Sequence, residues 1–250
     1  MTEPWYAADK PPNPPVHRLW VEAISAVTPM PRRVALAACR AAPRGDGHSV
    51  LVVPAFLRGD RYMLPLRRFV GDLGYAVSAW GLGLNVGPTE AILSGIERRL
   101  DDLAAQHGRK VSLIGHSLGG AIARELAKKR PDAVRQLITL ASPIRLPTAS
   151  PMEPVYRLLS RWHSPSSRGL YVALNEPASV PNTAIYTRTD GIVAWQSCLE
   201  ADGPMRESIE VVGPHSTMAR NPVAWRIVAD RLAQPEGRWR PYVEVQSSAS

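Results

Sequence analysis

Residues Val111–Lys129 read VSLIGHSLGGAIARELAKK. An apolar run, Val111 to Ile114, has the character of a buried strand and stops at Gly115-His116-Ser117-Leu118-Gly119-Gly120. A helical pattern then covers Ala121 to Arg130 and ends at Pro131. A serine on a strained strand-to-helix turn projects its hydroxyl away from the chain, and glycines beside it remove side chains that would collide. The Gly-x-Ser-x-Gly pattern is short enough to arise by chance, so the surrounding elements have to carry the reading.

Outward from that turn, strand and helix patterns alternate. Ser49–Val53 and Tyr75–Trp80 read as strands, with a helix over Tyr62–Leu73 between them. Thr89–His107 reads as a helix capped by Thr89, and Val134–Leu140 as a fourth strand. Thr183–Thr187 and Ser208–Val212 continue the series, and Pro222–Leu232 closes it as a helix. Short connections in such an alternation imply right-handed crossovers: an α/β fold whose mostly parallel central sheet has helices on both faces. In such sheets ligands bind beyond the carboxyl ends of the strands, where the serine turn lies.

The rest of the chain divides around this body. Residues 1–15 carry five prolines and read as a flexible arm. The segment 16–47 holds a helix with Val16, Leu19, Trp20, Ala23, Ile24 and Val27 at helical spacing, then a connection. Packing of that helix on the body is the plain expectation, with a dimer contact or a membrane surface as the other readings. The body is expected over 48–236, with a tail over 237–250. A proline- and serine-rich excursion, about 143–181, forms a small cap, with Leu146, Val155, Tyr156, Leu158, Leu159 and Trp162 as its apolar face.

With 250 residues the chain can bury a large core. The formal net charge of +8 is compatible with anionic surfaces and does not by itself indicate one; nothing points to nucleic acid. The start, MTEPWYAADKPPNPP, lacks the features of a signal peptide, and no run of about 18 apolar residues occurs, so a cytoplasmic protein is expected. Cys39 and Cys198 have no metal-like spacing and read as buried thiols. No metal or cofactor is expected, and GLGLNVG, with three glycines, is not a dinucleotide fingerprint.

A serine hydroxyl attacks only when a base takes its proton and a third group orients that base. Asp190, in TDGIV, and His215, in GPHSTM, each stand just past a strand downstream of Ser117. Asp190 can also be read as an ordinary Asp-Gly turn, with Asp202 as the alternative acid. His116 adjoins the serine and is expected to point elsewhere. His17, His48 and His107 lie outside the pattern, and His163 is a pocket candidate in the cap. Leu118 N–H, at a helix start, is free to face a developing oxyanion.

On GHSLGG, TDGIV and GPHSTM, and more weakly on VVPAF and GLGLNVGP, the chain resembles the α/β hydrolases, nearest their serine lipase and esterase branch, over roughly Ser49 to Leu232. The resemblance implies the order nucleophile Ser117, acid Asp190, histidine His215, and a second oxyanion donor, Phe56 N–H, from the loop after an early strand. Ala55 stands where glycine is usual. Trp80, just before the GLGLNVG loop, and Leu82 and Leu84 within it, with Trp195, are expected along the pocket wall. The implied activity is hydrolysis of small carboxylic esters with apolar short to medium acyl groups through an acyl-enzyme. An acyltransferase or thioesterase on the same triad, and a non-catalytic binding protein on the same fold, are the alternatives.

Overall fold

The computed structural model describes residues 10–28, 40, 42–145, 148–164 and 176–243. Most of the expected arm, Cys39, Leu146 and the end of the tail lie outside them. Six strands form one sheet: β1 (Ser49–Val53), β2 (Ala76–Ala79), β3 (Val111–His116), β4 (Val134–Leu140), β5 (Asn182–Tyr186) and β6 (Arg206–Glu210). Their spatial order is β2-β1-β3-β4-β5-β6 and every pairing is parallel.

Alternation along the strands builds two cores. Val50 and Val52 of β1, Ile114 of β3 and Ile138 of β4 face one side of the sheet; Leu51, Val53, Leu113 and Leu137 face the other. Helices α2 (Leu64–Asp72) and α6 (Pro222–Leu232) cover the first side, where Phe69 stacks on Trp225 with centroids 4.6 Å apart. Helices α3 (Glu90–His107) and α4 (Leu118–Lys129) cover the second. This double cover explains why SVLVV and VRQLITL are buried at every position.

Local signals set the boundaries. Thr89 Oγ1 accepts the Ile92 N–H at 3.2 Å and caps α3, and Gly108 ends that helix in the left-handed region. Asn221 caps α6 through Val223 N–H at 2.9 Å. Helix α4 begins at Leu118, one residue past the serine and three earlier than the sequence pattern places it.

Two further helices lie beyond the carboxyl ends of the strands. Helix α1 (His17–Val27) rests on a 3-10 segment, His215–Arg220, that precedes α6. Helix α5 (Glu153–Leu159) and a 3-10 turn to Trp162 lie in the segment where the sequence suggests a cap. The order in which strands are laid down reverses at β1, with β2 on one side and β3 on the other, and at such a switch point a crevice forms beyond the carboxyl ends of the strands. No helix among the described residues is long and apolar enough to cross a membrane.

Candidate active site

Ser117 occupies the turn between β3 and α4 with φ 54° and ψ −127°, a left-handed conformation that a non-glycine residue adopts only under constraint. Its N–H donates to Leu140 O at 2.9 Å, and its carbonyl takes the first helical bond, from Gly120 N–H at 2.9 Å. Gly119 permits the turn: a Cβ there would overlap the carbonyl oxygens of Val53 and Pro54. The serine is therefore pinned between two strands and a helix start, at the floor of a cavity of about 300 Å³.

Asp190 and His215 come to the same place from the ends of β5 and β6. His215 Nδ1 lies 2.7 Å from Asp190 Oδ2, and both residues are buried. Asp190 Oδ1 accepts the N–H groups of Ile192 (2.8 Å) and Val193 (2.7 Å), which fixes the carboxylate's rotation. Burial alone would lower the imidazole pKa, but the charge and hydrogen bond of Asp190, with the charge of Glu22, outweigh it and hold His215 above its ordinary value. His215 and Ser117 line one cavity; Asp190 stands behind the histidine.

The loop after β1 lies across from the serine, and Ala55 and Phe56 line the cavity. Leu57 has φ 55°, and the loop is held by Asn85, which is wholly buried. Asn85 Nδ2 donates to Pro54 O (2.7 Å), its carbonyl accepts Leu57 N–H (2.7 Å), and its N–H donates to Arg58 O (2.9 Å). Phe56 N–H forms no backbone hydrogen bond among the described residues. Leu118 N–H, at the first position of α4, has no intrahelical partner.

Comparison with known proteins agrees with this architecture. A family model described as serine aminopeptidase, S33, matches residues 73–195, a span holding Ser117 and Asp190 but not His215. No curated protein sequence matches the chain. Among solved structures, lipase B of Aspergillus fumigatus superposes with a TM-score of 0.59 at 16% identity, over 76% of this chain and 53% of that one. The chain thus spans about half the length of that lipase. A monoacylglycerol lipase of Paleococcus ferrophilus gives 0.56 at 15% identity, over 77% and 96%. The chain has the α/β-hydrolase fold. A thioesterase domain from the curacin biosynthetic pathway gives 0.51 at 15% identity, over 77% and 93%.

Other residues on this fold stand elsewhere than the sequence pattern suggests. Trp80 is fully buried beneath the crevice loop, its Nε1–H on Gly83 O at 3.0 Å, because its indole fills the core under α3. Leu82 packs against that same core, and Trp195 stacks on Tyr186 at 5.8 Å; neither lines the cavity. The wall comes instead from Leu19, Ala23 and Ala26 of α1, Phe56, Met152 and Ile192. His163 bonds Val86 O through Nε2 at 3.0 Å, outside the cavity, and Asp202 is exposed before β6.

His116 does not point away from the site. Its ring lies 4.8 Å from that of His215 and 5.5 Å from that of Tyr62, and its Nε2 bonds the His215 carbonyl at 3.1 Å. Burial first, then the nearby His215 charge, depress its pKa well below the ordinary value, so it stands neutral beside the second histidine.

The sequence reading of α1 also changes. Its apolar stripe is split: Leu19 and Ala23 face the cavity, whereas Val16, Trp20 and Ile24 are exposed. The buried seam runs through Glu22, which an apolar-periodicity reading places outside. No group of residues with metal-ligand character occurs among the described residues.

Proposed function

We propose that the protein hydrolyses carboxylic esters through an acyl-enzyme formed on Ser117. The carrying observation is that His215, hydrogen-bonded from behind by Asp190, lines one cavity with a serine held in a left-handed turn. In this reading Ser117 Oγ attacks the ester carbonyl while His215 Nε2 accepts its proton. Asp190 holds the Nδ1–H tautomer and favours the imidazolium that forms. The Leu118 and Phe56 N–H groups stabilise the oxyanion, each contributing about 3 kcal/mol. The imidazolium then protonates the leaving alcohol, and water, activated by the same imidazole, releases the acid and restores Ser117.

The cavity's character supports small apolar acyl groups. Its volume, about 300 Å³, lies at the lower end of the range for small-molecule pockets, roughly 300–1,000 Å³. Leu19, Phe56, Met152 and Ile192 line it. The family description names an aminopeptidase, and a free α-amino group would need a carboxylate to receive it. Among the described lining residues Glu22 is the one carboxylate, and both its oxygens are engaged by backbone N–H groups. That favours esters over amino-terminal peptide bonds.

A p-nitrophenyl ester series from acetate to palmitate, run beside aminoacyl p-nitroanilides and an acyl thioester, tests the assignment. The expected result is turnover greatest on short to medium acyl esters. Preferred cleavage of the anilides would overturn the ester reading, and preference for the thioester would move the protein to the thioesterases.

A further inference from the structure

Helix α1 reaches into the site with a charged side chain. Glu22 is 4% exposed. Its Oε1 accepts the N–H groups of Gly191 (2.9 Å) and His215 (2.8 Å), and its Oε2 accepts that of Ser216 (2.8 Å). Its backbone carbonyl accepts Ser216 Oγ at 3.0 Å. Gly191 directly follows Asp190, so one carboxylate ties the loop bearing the acid to the loop bearing the histidine. Arg18, one turn earlier on the same face, donates Nη1 to the carbonyls of Arg188 (2.7 Å) and Asp190 (3.3 Å).

The approach is close. A Cβ on Gly191 would lie 2.8 Å from Glu22 Cγ and 2.9 Å from Arg18 Cβ, so the glycine of TDGIV admits α1 to the acid's loop. No ion pair balances Glu22 among the described residues; three N–H dipoles do. Burying a carboxylate without a cation is costly, and an apolar side chain would dock a helix more cheaply. What the carboxylate adds is geometry. The backbone of His215 is held at its N–H by Glu22 and at its carbonyl by His116, while Asp190 holds its ring.

We propose that Glu22 is a positioning residue for hydrolysis: by gathering the Gly191, His215 and Ser216 N–H groups it keeps the Asp190 and His215 loops in register, making α1 a working part of the active site. The proposal rests on the hydrolase reading of Ser117. It also has an electrostatic consequence. The groups facing His215 are Asp190, Glu22, neutral His116, Arg58 across the cavity, and Tyr62, whose hydroxyl donates to Ser216 O at 2.9 Å. Burial lowers the imidazole pKa, whereas Asp190 and then Glu22 raise it; removing the Glu22 charge therefore lowers it.

The test is hydrolysis of p-nitrophenyl butyrate against pH by wild type, Glu22→Gln, Glu22→Asp and Gly191→Ala, with kcat expressed per fluorophosphonate-reactive site. Expressing it so removes unfolded molecules from the comparison. Glu22→Gln is expected to lose about tenfold or more in kcat with little change in KM, and its acid limb is expected to move to lower pH. Glu22→Asp, which keeps the charge, is expected to retain the wild-type limb and part of kcat. Gly191→Ala pushes α1 away from the opposite side and is expected to lose kcat similarly. Should Glu22→Gln fail to fold, the kcat losses of Glu22→Asp and Gly191→Ala test the positioning role, and wild-type kcat per reactive site in both would overturn it. Wild-type kcat per reactive site with an unmoved acid limb would overturn the positioning role. Wild-type protein that neither labels nor turns over would contradict the hydrolase reading, and this proposal with it.

Discussion

Ser112 Oγ lies 2.7 Å from His48 Nε2, and His48 Nδ1 lies 2.5 Å from Asp46 Oδ1, so the molecule contains a second Ser-His-Asp chain. It sits at the opposite, amino-terminal end of β1 and β3. Ser112 and His48 are fully buried, and neither residue lines the cavity that holds Ser117. Gln136 Nε2 also donates to Ser112 Oγ, at 3.3 Å, and burial keeps His48 below its ordinary pKa despite Asp46. Side-chain geometry alone therefore does not define a site; a cavity and free N–H donors are needed as well. Ser112→Ala is expected to leave ester turnover per folded molecule unchanged and to cost about 1–3 kcal/mol, because His48 loses its partner. Chemical denaturation beside steady-state kinetics checks both halves.

Asn85 holds the loop that presents Phe56 N–H, and its side chain satisfies the buried Pro54 carbonyl. In Asn85→Ala both side-chain bonds are lost, Nδ2 to Pro54 O and Gly87 N–H to Oδ1, while the backbone bonds to Leu57 and Arg58 remain. The expected result is a fall in kcat of about tenfold to a hundredfold, with KM moving less, since an oxyanion donor set loosely acts on the transition state. A full kcat with only a lowered melting temperature would assign Asn85 to folding alone.

In the proposed mechanism the pH dependence follows from His215. The base must be neutral to accept the serine proton, so activity rises as the imidazole loses its proton. Its pKa is raised, and the midpoint of the acid limb of kcat/KM is therefore expected above about 6.5, the ordinary histidine value. The same shift means that His215 stabilises the fold below that ordinary value and that this contribution disappears as pH rises through the folded-state pKa. Asp190→Asn removes the opposing charge, so burial dominates and the limb moves to lower pH, with kcat down by about a thousandfold or more. An unmoved limb in that variant would assign the titration to another group.

Much of this architecture is legible in the amino-acid order. Strands buried on both faces read as continuous apolar runs, and Val134–Leu140 and Pro222–Leu232 appear over those same residues in the structure. Ser117, Asp190 and His215 stand at recognisable strand ends because a parallel sheet brings the carboxyl ends of its strands to one edge. The pocket wall was not legible in the same way. Trp80 and Leu82 belong to a loop at the crevice, but their side chains fill the core beneath it, and periodicity cannot tell rim from floor. Glu22, Asn85 and His116 act through backbone groups distant in sequence, which no local spacing encodes. The one available signal was Glu22 itself, a lone acid among apolar residues of α1.

The central claim is that Ser117 is the nucleophile. Intact mass after incubation with a fluorophosphonate, for wild type and Ser117→Ala, tests it most directly, with Ser112→Ala as the control for the second triad. The account predicts one adduct per chain in wild type and Ser112→Ala, none in Ser117→Ala, and ester turnover lost with it. An adduct that persists in folded Ser117→Ala, or a folded wild type that takes none, would contradict it.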